Sequence, residues 1–261
     1  MRCFLLFISL TNIQCSSSYD INDTLIFARG SDSIGLDPAL ETDGESFKVC
    51  DNIYETLVSY ENENTSIIPK LAHSWDVSED LLTWTFHLRT DVLFHDGTKF
   101  NSESMVFSLE RQMDPNHPYK PSNGSYNYWR DMGMNEVIKE LVALNDSVIV
   151  FKLIRADAPF LSNLAMNFCA AVSPTAIKKY RDDYFKNPVG TGPFHFHFHK
   201  NNVKLVLRKN EHYFESEKGM PLPYLDAVAI SFIPDKQTAF LEFIKGNFDF
   251  LSGIDASYKD E

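Results

Sequence analysis

Apolar and polar residues alternate in several short runs of this chain, and that period of two restricts the fold more than any other feature. Trp84, Phe86 and Leu88 alternate with Thr85, His87 and Arg89, the pattern of a strand with one buried face. Ile149, Phe151 and Leu153 repeat it after an Asn145-Asp146 turn, and Phe194, Phe196 and Phe198 mark one face of a strand whose hairpin partner carries Val203, Leu205 and Leu207. Thr24 to Ala28 and Val228 to Ile233 read as further strands. Helical spacing separates these runs. Phe47, Cys50, Tyr54, Leu57 and Val58 form one stripe, and Val106, Leu109 and Met113 form another that opens at Asn101 and closes at Asp114-Pro115. Asn101 is a helix N-cap by type, and a residue before proline disfavours continued helix. Further helices are expected over Pro159 to Phe168 and Pro174 to Tyr184, and over a segment capped by Asp235 that carries Phe240, Phe243 and Ile244 and ends at Gly246. Strands and helices do not alternate regularly, so the expected fold is mixed α+β within the α/β class, with a mixed sheet and segregated helices rather than a Rossmann-like array.

At 261 residues and 44% hydrophobic content the chain can bury a sizeable core. Its formal charge of −12 repels phosphate backbones, so nucleic acid is not an expected partner. No apolar run after residue 20 reaches the roughly 20 residues needed to span a bilayer. The start differs: Arg2 precedes the apolar stretch Phe4 to Leu10, and Cys15 precedes Ser16, Ser17 and Ser18, the shape of an export signal. A cysteine with a serine-rich tether resembles a bacterial lipoprotein leader, although Gln14 stands where such leaders carry a small residue. Cys15 is the lipidation candidate, and loss of Cys3 and Cys15 with a cleaved signal is the other reading. Cys50 and Cys169 show no C-x-x-C spacing and are expected as buried free thiols. Residues 114–130, rich in Pro, Asn, Gly and aromatics, read as an ordered surface loop. Ile254 to Glu261 is polar and ends without a capping element, which suggests a chain that stops before a second unit.

Five ordered blocks resemble one family. The block from Trp75 to Phe100, WDVSEDLLTWTFHLRTDVLFHDGTKF, is followed by SESMVFSLERQ; the others are GLDPALETDG at 35–44, NGSYNYWRDMGM at 123–134, APFLSNLAMNF at 158–168 and NPVGTGPF at 187–194. They are similar to the extracellular solute-binding proteins of the dipeptide and oligopeptide class, which serve ABC importers. The resemblance implies a periplasmic-binding-protein type II-like large lobe, with a core subdomain over about 23–60 and 185–261, an inserted subdomain over about 61–184, a leader over 1–22, and the second lobe absent. It implies capture of a short peptide for an ABC importer permease, in the periplasm or at the cell surface, by a monomer that needs no cofactor. Thr42, Asp43, Gly44 and Tyr126 match positions where family members touch the ligand, and Asp43 departs from the small polar residue expected there.

The sequence holds three other constellations. His195, His197 and His199 alternate, which would place them on one strand face at ~7 Å intervals and could hold a metal. A receptor for nickel, haem or another non-peptide solute is therefore the alternative, while solvated strand polarity explains the same residues. His95-Asp96 suggests acid-base chemistry only weakly, because no nucleophile stands near it in sequence; a peptide hydrolase is the third reading. The G-T-G-P run at 190–193 lacks the lysine and helix of a phosphate loop and reads as a structural crossing.

Overall fold

The computed structural model describes residues 23–122 and 124–253. In chain order the elements are β1 (Thr24–Arg29), α1 (Gly44–Ile53), β2 (Val58–Tyr60), β3 (Ile67–Pro69), β4 (Ala72–Val77), β5 (Thr83–Leu88), α2 (Ser102–Met113), α3 (Asn127–Asp131), α4 (Met134–Val137), β6 (Ile138–Asn145) and β7 (Val148–Leu153). There follow α5 (Phe160–Leu164), α6 (Pro174–Tyr180), β8 (Phe194–Lys200), β9 (Lys204–Lys209), β10 (Ser216–Glu217), β11 (Met220–Pro221), β12 (Ala227–Phe232), α7 (Lys236–Ile244) and β13 (Phe250–Leu251). Two sheets dominate. One has the order β13-β1-β12-β9-β8 and is mixed, since β1 runs parallel to β12 and β13 while β9 is antiparallel to β12 and β8. The other, β4-β5-β7-β6, is antiparallel throughout.

The period-two runs build the inner faces of both sheets. Phe86 and Phe151 are fully buried and meet edge to face at 5.5 Å, and Phe151 meets Phe160 of α5 at 5.5 Å, the arrangement aromatic quadrupoles favour. This cluster joins Leu88, Phe94, Met105 and Leu109 in one core. A second core gathers Val49, Cys50, Ile53, Ile177, Leu205, Leu207 and Ile230 under the five-stranded sheet. Helix α2 starts where expected: Asn101 Oδ1 accepts from Ser104 N, and Ser104 Oγ accepts from Asn101 N, a reciprocal capping box. Cys50 and Cys169 are free and buried.

Four expectations need correction. The first helix is capped by Asp43 and stops at Ile53; Tyr54 has extended backbone, and its hydroxyl donates to the Leu36 carbonyl. Leu57 and Val58 are buried by the strand that follows, so burial continued past the helix and imitated its stripe. The 159–168 helix is broken, because Met166 is extended and a 3-10 turn covers Asn167–Cys169. The 114–130 loop contains the short helix α3. In β8 the register shifts between Phe196 and Phe198, leaving His197 without a cross-strand partner. That bulge reverses the alternation beyond it: Phe194 is 6% exposed and Phe198 is 46% exposed, so the three phenylalanines do not share a face. Cys15 lies outside the described residues.

Candidate functional site

Three loop segments enclose a cavity of about 500 Å³. The first wall, from Ile34 to Asp43, connects β1 to α1; the second contributes Pro121, Gly124, Ser125 and Asn127 ahead of and into α3; the third contributes Asp182 and Phe185 from the 3-10 turn after α6. The walls are stitched together by main-chain and side-chain bonds. Leu36 N donates to the Phe185 carbonyl at 2.9 Å, and Asp182 accepts from Ser122 N at 2.9 Å and Ser122 Oγ at 2.7 Å. A neighbouring cavity of about 430 Å³ is lined by Thr42, Asn127, Tyr128, Arg130 and Asp131, so the two spaces share Thr42 and Asn127.

The first wall is built by short-range hydrogen bonds that the sequence dictates. Asp43 caps α1 by accepting from Ser46 N through Oδ1 at 2.8 Å, and Ser46 Oγ in turn accepts from Ile34 N at 2.9 Å. Its other oxygen, Oδ2, has no hydrogen-bond partner. Glu41, 7% exposed, also lines the cavity; burial first, then the charges of Asp37 and Asp43, push its carboxyl up to about 7. With Glu41, Asp43 and Asp182 the lining is acidic, and Ile34, Leu40 and Phe185 supply apolar surface. Such a lining favours a cationic or donor-bearing group over an anion. It contains no histidine or cysteine.

The structure brings two of the four expected residues, Thr42 and Asp43, into the cavity lining and sets a third beside it. Thr42 is exposed at the rim shared by the two cavities, Asp43 lies in the wall, and Gly44 opens α1 beside them. Tyr126 differs: it is 8% exposed, its ring faces the Arg111 guanidinium at 5.9 Å, and its hydroxyl has no hydrogen-bond partner, while its neighbours Ser125 and Asn127 line the cavity. Glu41 and Asp182 were not singled out from the sequence, because a carboxylate in an acidic chain carries no signal until its burial is known.

The remaining constellations resolve differently. Beyond the bulge His199 pairs with Leu205 on the inner face, where its Nε2 lies 2.9 Å from Asp32, whereas His195 pairs with Arg208 on the opposite face. The single-face reading of His195, His197 and His199 is thereby overturned, and no group of three or more metal-ligating residues occurs among the described residues. His95 is a structural clamp: its Nδ1 accepts from Gly190 N at 3.3 Å, which leaves Nε2–H to donate to the Gly192 carbonyl at 3.0 Å. A Cβ on Gly190 would stand 2.2 Å from the Ile53 carbonyl oxygen, and one on Gly192 2.6 Å from the Ile53 carbonyl carbon. The glycines of the G-T-G-P run are there for close backbone crossing.

The mixed-sheet lobe thus carries a loop-built cavity with an acidic lining. The family model for bacterial extracellular solute-binding proteins, family 5 Middle, matches residues 66–261, and the chain belongs to that family, whose members bind solutes rather than catalyse reactions. It is 33% identical over 255 residues to heme-binding protein A of Haemophilus influenzae, covering 91% of this chain and 45% of that protein. It is 34% identical over 239 residues to the dipeptide-binding protein of Escherichia coli, covering 85% and 43%. Among solved structures, the ABC transporter-associated periplasmic binding protein DppA of Helicobacter pylori, in complex with the peptide STSA, superposes with a TM-score of 0.85 at 40% identity, over 91% of this chain and 48% of that one. The chain thus spans about half the length of these relatives, and the fold it shares with them is one lobe's worth. No helix among the described residues is long and apolar enough to cross a membrane.

Proposed function

We propose that this chain supplies one lobe of a receptor that captures short peptides outside the cytoplasmic membrane and delivers them to an ABC importer permease. The observation that carries this reading is the half-used Asp43 carboxylate in the wall of the cavity: one oxygen caps α1 and the other is buried without a partner, next to the exposed Thr42. An acceptor held rigid by a helix start is suited to a peptide N–H or ammonium group. Thr42, Asp43, Gly44 and Tyr126 are the proposed ligand residues: Thr42 at the rim, Asp43 in the wall, Gly44 beside them at the start of α1, and the buried Tyr126 between Ser125 and Asn127 of the lining. Similarity to a peptide-bound relative and to a dipeptide-binding protein supports the same ligand class. The chain acts as a monomer of two subdomains, over about 23–60 with 185–261 and about 61–184, exported to the periplasm or cell surface with Cys15 as its lipid attachment.

Saturation-transfer NMR of the chain with the dipeptide Lys-Leu, with haemin and Ni²⁺ as competitors, tests this. Saturable transfer to the peptide that falls when Thr42→Trp fills the rim is expected, because one lobe of a two-lobed clamp binds weakly but specifically. Absence of transfer, or tight haemin or Ni²⁺ binding that Thr42→Trp does not affect, contradicts it.

A further inference from the structure

We propose that Arg111 is the positioning residue of the cavity: its single buried guanidinium ties all three wall segments to helix α2. Arg111 is 1% exposed, and its Nη2 donates to both carboxylate oxygens of Asp37, at 2.6 and 2.9 Å. Asp37 belongs to the first wall and organises it, since its carbonyl accepts from Leu40 N and Glu41 N and its Oδ1 from Ala39 N. The ring of Tyr126 lies 5.9 Å from the guanidinium carbon, placing the second wall on Arg111. The ring of Tyr184 lies 5.8 Å from it and belongs to the turn that carries Asp182 and Phe185, the third wall. Each contact is of a kind a guanidinium makes and an aliphatic side chain does not.

A buried ion pair is a poor source of net stability, since desolvation offsets most of its attraction and apolar replacements of similar volume are often as stable. It fixes direction instead. Both bonds leave the one nitrogen Nη2, and they hold the 37–43 turn, and so Thr42 and Asp43, against the other two walls, a buried tie added to the Leu36–Phe185 and Ser122–Asp182 bonds. The consequence for binding rests on the peptide-receptor reading above; the mechanical claim does not.

Hydrogen-deuterium exchange of the whole chain separates the two. In Arg111→Met, amides of 36–43, 124–128 and 182–186 are expected to exchange faster together, on the order of a hundredfold, while β5 and β7 keep their protection. Asp37→Asn/Arg111→Met removes both charges without stranding one, so it folds with near-native stability and yet loosens the same three segments. If only 36–43 responds in the double variant, or if β5 and β7 lose protection with the walls, Arg111 is an ordinary buried ion pair and the proposal is overturned. Saturation transfer to Lys-Leu should fall at least about tenfold in the double variant, the loss that relaxing a preorganised site entails. A wild-type chain that gives no transfer defeats the peptide reading and leaves the exchange result standing.

Discussion

His95 and Gly192 are joined by a hydrogen bond of 3.0 Å in which the imidazole Nε2 donates to the backbone carbonyl, and the same ring accepts from Gly190 N through Nδ1. Only the neutral ring can do both. Burial holds its pKa down, to about 4. A base with a depressed folded pKa leaves the unfolded state binding more protons between about pH 4 and 6.5, so its contribution to stability is complete above about 6.5 and is lost as pH falls through that window. Urea unfolding of His95→Gln should show a pH dependence altered in that interval by up to about 3 kcal/mol relative to wild type. An identical pH profile in the two chains would show that the clamp is not proton-linked.

Glu55 carries the opposite slope. It is 8% exposed, accepts from Tyr213 Oη at 2.6 Å and lies 3.5 Å from Lys70 Nζ, while the same Tyr213 hydroxyl lies 2.8 Å from Glu215. Lys70 Nζ donates to Glu215 at 2.8 Å and to the Tyr213 hydroxyl at 3.0 Å, so one ammonium is shared among two carboxylates and a phenol. Burial, against the pull of Lys70, raises Glu55 to about 7. The folded state then binds the extra proton between about pH 4.5 and 7, and stability falls as pH rises through that range. Glu55→Gln should remove this component, and at pH 8 the variant should be at least as stable as wild type by urea unfolding. A variant markedly less stable at pH 8 would contradict the protonation argument.

The crossing at 190–192 tests packing. The atoms that a Cβ on Gly192 would meet, at 2.6 to 2.8 Å, are backbone atoms of Asn52 and Ile53, which cannot rotate away. Gly192→Ala should therefore cost about 3 kcal/mol in a chemical unfolding curve. Gly30→Ala, where nothing lies within 4 Å, serves as the control and should change stability little.

These features differ in how far the sequence displays them. Strands with a strict period of two, such as the Trp84 to Leu88 run, and helices with a good cap, such as the one opened by Asn101, are legible because local chemistry and tertiary burial agree. β4 and β6 carry no such signal. β6 has register shifts near Glu140 and Asn145 that break its period, and the exposures along β4 do not alternate cleanly. β13 has two residues, too few for any period. At the site, the Thr42 to Gly44 turn was legible through family resemblance. Arg111 was not, because an arginine on an amphipathic helix looks like a solvated residue until Asp37, 74 positions away, is seen against it.

Asp43 has two separable roles. Asparagine caps helices about as well as aspartate, so Asp43→Asn should leave the melting temperature within about 2 °C of wild type. The charge-assisted contact to a peptide ammonium is lost, and the affinity for Lys-Leu should fall about tenfold. Equal affinity in the two chains would place the ligand's cationic group elsewhere.

Peptide capture by this lobe requires that the turn from Thr42 to Gly44 and the segment from Ser125 to Asp131 form one ligand surface. Amide chemical-shift mapping of the isotope-labelled chain during titration with Lys-Leu reads this residue by residue. Saturable shifts concentrated in 34–44 and 124–131, with β4 to β7 unmoved, are the expected result. Shifts confined to another face of the lobe, or none at millimolar peptide, would contradict it.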